Sequence, residues 1–352
     1  LLHRRAGGDE RAAALLAGAP EPTIVPAHAL DLLRGQVLHD LGRFPEAVEA
    51  LSRIDVGGLE PSVAVSVLYL RGLAQRGAEN LPASAADLRE AAGLESPMRS
   101  RALLDLARVE VLMGHTEDAL ATLGRAVGSG DAAAAAEAAR LAGDLSYNAG
   151  AYDEAVGYYA GVLDRFQASK HFGPAVIGTL WSHFSAGRHA QVLDAFDRHQ
   201  ASLPIQDRVP AFYLAGSAQQ ELGRHAEAAA LLSQVSQGDA ELPLQEKVLY
   251  KLAASQFELG RFDAMNETIA RLRAAFPQSD VLIDAAFLLA AADARQGNAE
   301  RGAARLTEVV DQGPSHPYYL QALLRRARLY EENRQLEPAS QDYLAYLKAE
   351  RY

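Results

Sequence analysis

Gly216 to Leu232 reads GSAQQELGRHAEAAALL, and the spacing of its small and large residues decides the fold. Gly223-Arg224-His225 interrupts two amphipathic segments of helical length. Gly216 stands seven residues before the break; Ala228 and Leu232 stand five and nine after it. At 3.6 residues per turn, Ala228 and Leu232 lie one turn apart on one helix face. Small residues let two helices approach closely, and the leucine fills the space beside that contact. The break lets the chain reverse into an antiparallel helical hairpin.

The same device recurs along the chain. Breaks fall at Gly42-Arg43-Phe44, Gly114-His115-Thr116, Gly150-Ala151-Tyr152, Gly187-Arg188-His189, Gly223-Arg224-His225, Gly260-Arg261-Phe262 and Gly297-Asn298-Ala299, with weaker copies at Glu79-Asn80-Leu81 and Arg334-Gln335-Leu336. Their first residues are spaced by 37, 35, 36, 37, 36, 37, 37 and 37. Seven residues upstream of each stands Gly35, Gly72, Ala107, Gly143, Leu180, Gly216, Ala253, Ala290 or Ala327. Leu180 and Met265 are large where the pattern asks for a small residue.

These positions, together with Pro204, Pro277 and Pro314 at the ends of units, resemble the tetratricopeptide repeat over nearly the whole chain. The resemblance implies an all-α fold, a right-handed superhelical solenoid of antiparallel helix pairs. The first helix of each pair is then expected to line a concave groove. The family's usual unit is about 34 residues, so the longer units here imply longer turns between repeats. One two-helix unit cannot bury its apolar face alone, and stacking units makes a continuous core.

The organisation expected is one solenoid over 1–352, with about nine helix pairs over 28–352 and a partial repeat with a proline-rich loop over 1–27. Gly7, Ala12 and Leu16 fit the second half of a unit. Pro20, Pro22 and Pro26 exclude a continuous helix over 18–27. Gly57 to Pro61 and Ser236 to Pro243 read as turns too short to be domain linkers. A chain that begins at Leu1 reads as a piece of a longer protein.

Composition narrows function further. Hydrophobic residues are 49% and charged residues 22%, as in ordinary folded domains. The net charge of −11 comes with scattered Lys and Arg, which excludes the basic footprint that nucleic acid requires. No cysteine is present, which excludes disulfides, zinc thiolate sites and cysteine nucleophiles, and favours an oxidising compartment. No apolar run reaches the roughly 18 to 20 residues of a membrane span. The longest bland stretch, Ala132 to Ala136, is polyalanine inside a helix.

No phosphate-loop, nucleophile-elbow, zinc-helix or dinucleotide motif occurs. His171, His183, His189 and His199 cluster in sequence, but His189 occupies a break position held elsewhere by Phe44, Tyr152 and Phe262. It reads as packing. Glu331 and Glu332 point about 100 degrees apart on a helix and read as solvated charge. The expectation is therefore a non-enzymatic chain with no metal and no cofactor.

The residues singled out for a groove are aromatic. Tyr147, Trp181, Phe184, Tyr213, Tyr250, Phe257 and Phe287 stand three before, or one or four after, the small position of their first helices. Arg140, Asp144, Asn148, Gln220, Arg295, Arg328 and Glu331 accompany them. Copies one to three offer Gln36, His39, Arg76 and Arg108 instead. Exposed aromatics bury much area at little entropy cost, as binding hot spots do. A register error of one residue would turn each ring by about 100 degrees into the core.

The resulting expectation is a protein-binding scaffold whose partner is another protein, set in the bacterial periplasm in an envelope or polysaccharide-export assembly. Two alternatives stay open: an arm of an enzyme whose catalytic domain lies elsewhere, and a groove that binds glycan. Leu1, Leu2, Tyr343, Leu344, Tyr346, Leu347 and Tyr352 suggest self-association through the terminal helices.

Overall fold

A computed structural model describes residues 27–236 and 244–349. The partial repeat around Gly7, Ala12 and Leu16, the loop with Pro20, Pro22 and Pro26, the 237–243 part of one turn, and Tyr352 lie outside the described residues. Those described form eighteen α-helices and no strand.

The helices come in nine pairs. α1 (Ala27–Asp40) pairs with α2 (Phe44–Ser52), α3 (Pro61–Gly77) with α4 (Leu81–Gly93), and α5 (Arg99–Leu112) with α6 (Thr116–Val127). α7 (Ala132–Asn148) pairs with α8 (Tyr152–Arg165), α9 (Phe172–Ser185) with α10 (His189–His199), and α11 (Ile205–Glu221) with α12 (His225–Val235). α13 (Gln245–Glu258), α15 (Val281–Arg295) and α17 (Tyr319–Glu332) pair with α14 (Phe262–Ala275), α16 (Ala299–Val310) and α18 (Leu336–Ala349). The chain divides into two compact units, Leu1–Gly178 and Thr179–Tyr352, the division falling within α9. Each unit is a stack of helical hairpins.

Every expected break closes by one hydrogen-bond pattern. In the first, Gly42 N–H donates to the His39 carbonyl at 2.9 Å and Arg43 N–H reaches back to the Leu38 carbonyl at 2.9 Å. This pair of hydrogen bonds is the Schellman turn, which satisfies the last carbonyls of a helix and needs a left-handed residue. Gly42 has φ 74°, and the other six break glycines lie between 67° and 79°. The two weaker copies make the same turn with a side chain present, at Glu79 (φ 62°) and Arg334 (φ 59°).

Behind each turn the small and large residues meet as their spacing requires. A Cβ on Gly216 would stand 2.6 Å from Leu232 Cγ, and one on Gly72 2.8 Å from Leu88 Cγ, so nothing larger than glycine fits without displacement. Leu180 and Met265, the two large exceptions, are fully buried in their own hairpins. α7 begins differently: the Asp131 side chain accepts from Ala133 N and Ala134 N at 3.0 and 3.2 Å, capping the polyalanine turn.

Contacts also join successive first helices, α1 to α3, α3 to α5 and α5 to α7 in the first unit, and α11 to α13 and α13 to α15 in the second. No comparable contact joins successive second helices among the described residues. Within each unit the first helices therefore form the crowded inner side of the stack.

Candidate functional site

In the first unit a chain of polar contacts runs across the inner side. Asp105 of α5 accepts from Tyr69 Oη at 2.7 Å, Arg76 Nη1 at 3.0 Å and Arg108 Nη1 at 2.8 Å. Arg108 continues to Glu137 of α7 through Nη2. Glu137 lies 3.8 Å from Nε2 of the buried His171, whose Nδ1 accepts from Arg140 Nε at 3.3 Å. Arg140 pairs with Asp144, and Asp144 also accepts from Tyr159 Oη at 2.8 Å.

Burial and these partners set the local chemistry. Burial, then the Asp105 carboxylate, raises the Tyr69 hydroxyl pKa, and burial with the Asp144 hydrogen bond does the same for Tyr159. His171 is pushed below its ordinary value, first by burial and next by the Arg140 guanidinium. Its neutral ring accepts from Arg140, so its proton sits on the nitrogen facing Glu137. Arg140 and Asp144, expected in the groove, are thus present on the inner side but bonded to one another and to their neighbours. Asn148 is exposed beside them.

Alongside this network lies an apolar groove of about 370 Å³. Its lining includes Val111 and Leu112 of α5, Leu123 of α6 and Leu141 and Leu145 of α7, with Arg76, Arg108 and Asp144 at the edges. Leu112 is 62% exposed and Val111 38%, an uncommon condition for neighbouring apolar residues on an inner face. Neither was singled out from the sequence. The signal was present: the position two before the break is Asp40, Gly77, Asn148, Ser185, Glu221, Glu258, Arg295 or Glu332 in the other eight copies, and leucine in this one.

Aromatic pairs within a hairpin explain where three of the seven expected rings go. Tyr147 lies 5.6 Å from Tyr152, Phe184 5.2 Å from His189, and Phe257 6.1 Å from Phe262, as His39 lies 5.6 Å from Phe44. In each case the last-turn ring of the first helix packs on the first ring of the second, within one hairpin. Phe257 is the clear correction to the expected groove set. It is 6% exposed, belongs to the core around Met265 and Ile269, and is capped by the Arg295 guanidinium 3.9 Å above its ring. The fold spends this ring on packing. In copy three the second helix starts with exposed Thr116 instead of a ring, so Val111 lacks that cover.

The second unit brings together Trp181, Phe184 and Tyr213, with Trp181 6.3 Å from Phe184 and 6.5 Å from Tyr213. All three are half-buried. Tyr250 and Phe287 are half-buried in the following first helices, Phe287 lying 6.4 Å from Tyr318. Burial raises the hydroxyl pKa of Tyr213 and Tyr250 and lowers the ammonium pKa of neighbouring Lys251. Gln220 is committed, donating to the Lys251 carbonyl and Ser255 Oγ, each at 2.7 Å. Arg328 is exposed, and Glu331 accepts from Tyr343 Oη at 2.8 Å. On the last helix Leu344 and Leu347 are both exposed. Among the described residues no three His, Asp or Glu side chains converge as a metal site, and no helix is long and apolar enough to cross a membrane.

A family pattern described as "Tetratricopeptide repeat" matches residues 104–170, and another with the same description matches 210–237 and 247–279. No curated protein matches the sequence. Among solved structures, the chain is similar to the C-terminal part of a TPR repeat-containing protein from Cytophaga hutchinsonii, at 12% identity and TM-score 0.52, covering 83% of this chain and 99% of that one. It is also similar to a tetratricopeptide repeat protein from Parabacteroides merdae, at 15% identity and TM-score 0.44, covering 74% and 98%. A third is YrrB, titled a TPR protein with an unusual peptide-binding site, at 17% identity and TM-score 0.45, covering 57% and 96%. The likeness of fold rests on the first of these.

Proposed function

Because the chain is a tetratricopeptide-repeat protein, we propose that it is a non-catalytic scaffold that binds partner proteins along the inner side of its first helices. One observation carries the reading. Val111 and Leu112 stand exposed beside an apolar groove, in a hairpin where Thr116 replaces the ring that covers the residue equivalent to Val111 in the hairpins of Phe44, Tyr152, His189 and Phe262. Exposed apolar surface of this kind marks a contact waiting for a partner. The half-buried rings around Trp181 are a second contact area in the same proposal.

We place the scaffold in an extracytoplasmic assembly of a bacterial envelope, the polysaccharide-export machinery being the setting intended. A chain of 352 residues without one cysteine suits an oxidising compartment. Cell fractionation with an antibody to the chain tests the setting, and recovery with the cytoplasmic fraction refutes it. Chemical cross-linking in the source cells, read by mass spectrometry, tests the scaffold. Cross-links from other proteins should concentrate on α3, α5, α7, α9 and α11. An even spread over the second helices, or no cross-linked protein at all, refutes it.

A further inference from the structure

We propose that the α5–α7 groove takes one large apolar side chain of a partner segment, and that an acidic residue adjoining that side chain binds Arg76. The inference rests on the scaffold reading and names the chemistry of the segment it accepts. The apolar lining of the groove is supplied by Val111, Leu112, Leu123, Leu141 and Leu145, and its volume of about 370 Å³ sits at the small end of the range for ligand sites. That space suits a single anchoring side chain, the arrangement by which a few buried residues carry most of an interface.

The edge of the groove supplies the charge. Asp105 is fully engaged, holding Tyr69, Arg76 and Arg108 at once. Glu137 is held by Arg108, and Asp144 by Arg140 and Tyr159. Arg76 gives only Nη1 to Asp105, at 3.0 Å, while one-third of its side chain remains in solvent at the groove mouth. Five N–H donors in a planar fork can hold a second carboxylate beside the first. Arg76 therefore keeps further donors for a second acceptor at this edge. A carboxylate next to the anchor can take them, and a lysine there meets Arg76 head on.

The test is a fluorescence-polarisation titration of the full chain with a fluorescein-labelled peptide Gly-Ser-Asp-Leu-Phe-Glu-Ser-Gly. Two control peptides replace Leu-Phe by Ser-Ser, or Asp and Glu by Lys. Only the first peptide should bind, and binding should weaken with salt. Leu112→Asp should lower affinity by about tenfold or more, and Arg76→Gln should lower it by a similar factor while flattening the salt dependence. Leu112 is solvent-facing, so its variant should keep the parent melting temperature; Leu112→Gln replaces it if it does not. Equal binding of the lysine peptide, indifference to both substitutions, or no binding of the acidic peptide at about 1 mM overturns the proposal. If Leu112→Asp still cross-links the same proteins in cells, this groove is not their site and the scaffold reading stands alone.

Discussion

Asp87 accepts two hydrogen bonds from one guanidinium, from Arg71 Nε at 2.6 Å and Arg71 Nη2 at 2.7 Å, across the α3–α4 hairpin. Arg326 and Asp342 repeat the geometry in the last hairpin, at 2.8 and 2.7 Å. The positions correspond: each arginine precedes the small residue by one, and each aspartate follows the break by eight. No other copy has both residues. These two copies are also the ones whose breaks lack glycine, so the forked pair clamps the hairpins that turn through a strained residue.

Removing the clamp should therefore be felt at once. Asp87→Asn and Asp342→Asn keep shape but lose the charge, and each should destabilise its hairpin by about 2 kcal/mol, the scale of hydrogen bonds to a charged partner. Urea unfolding measures it, and pairing each with Arg→Gln at its partner should show non-additive losses.

Glu79→Gly and Arg334→Gly should do the opposite. A side chain in the left-handed region costs roughly 1 to 2 kcal/mol, and glycine removes that strain while giving back part of it as unfolded-state entropy. A net gain of about 0.5 to 1 kcal/mol is expected, read as a higher melting temperature. Gly223→Ala, at φ 72° with open space around its Cα, should lose about 1 kcal/mol.

Tyr159 fills the gap between Gly143 and Gly178. A Cβ on Gly143 would stand 2.5 Å from Tyr159 Cε1, and one on Gly178 would also strike the ring. Gly143→Ala and Gly178→Ala should each cost about 2 to 3 kcal/mol, as overpacking does. Combining Gly143→Ala with Tyr159→Leu should recover part of the loss in thermal melts.

His171 gives the fold a pH dependence of definite sign. Burial and then Arg140 lower its pKa from 6.5, while Glu137 and Asp144 oppose this and Lys170 adds to it. The unfolded chain then binds the proton more readily than the folded one. Its stabilising contribution is fully present above pH 6.5 and is lost as pH falls through the lower folded value. Melting temperature should drop between pH 7 and about 5, and His171→Gln should flatten that part of the profile.

The hairpins were legible in the sequence because a Schellman turn is local. It needs a left-handed residue and nothing distant, so glycines at a near-constant interval mark seven of the nine turns, and the interval itself located the other two at Glu79 and Arg334. The site was less legible. Helical spacing put Tyr147, Phe184 and Phe257 on the inner side, but a side chain five residues further on, at Tyr152, His189 or Phe262, competes for the same ring. Periodicity gives an angle around a helix and says nothing of what already occupies that direction. Leu112 was passed over because an isolated leucine is unremarkable, and it becomes informative only beside the eight residues at its equivalent positions.

The closed hydrogen-bond pattern of each turn has an evolutionary corollary. Because it spans only a few residues, gain or loss of a whole repeat leaves every remaining turn intact, and the length of such a chain can drift at little risk to folding. The groove between α5 and α7 does not share that freedom. It draws on three successive hairpins, and any recombination that separates α3 from α7 dissolves it. Inheritance of copies two to four as one block is thus the genetic signature that selection on this groove would leave.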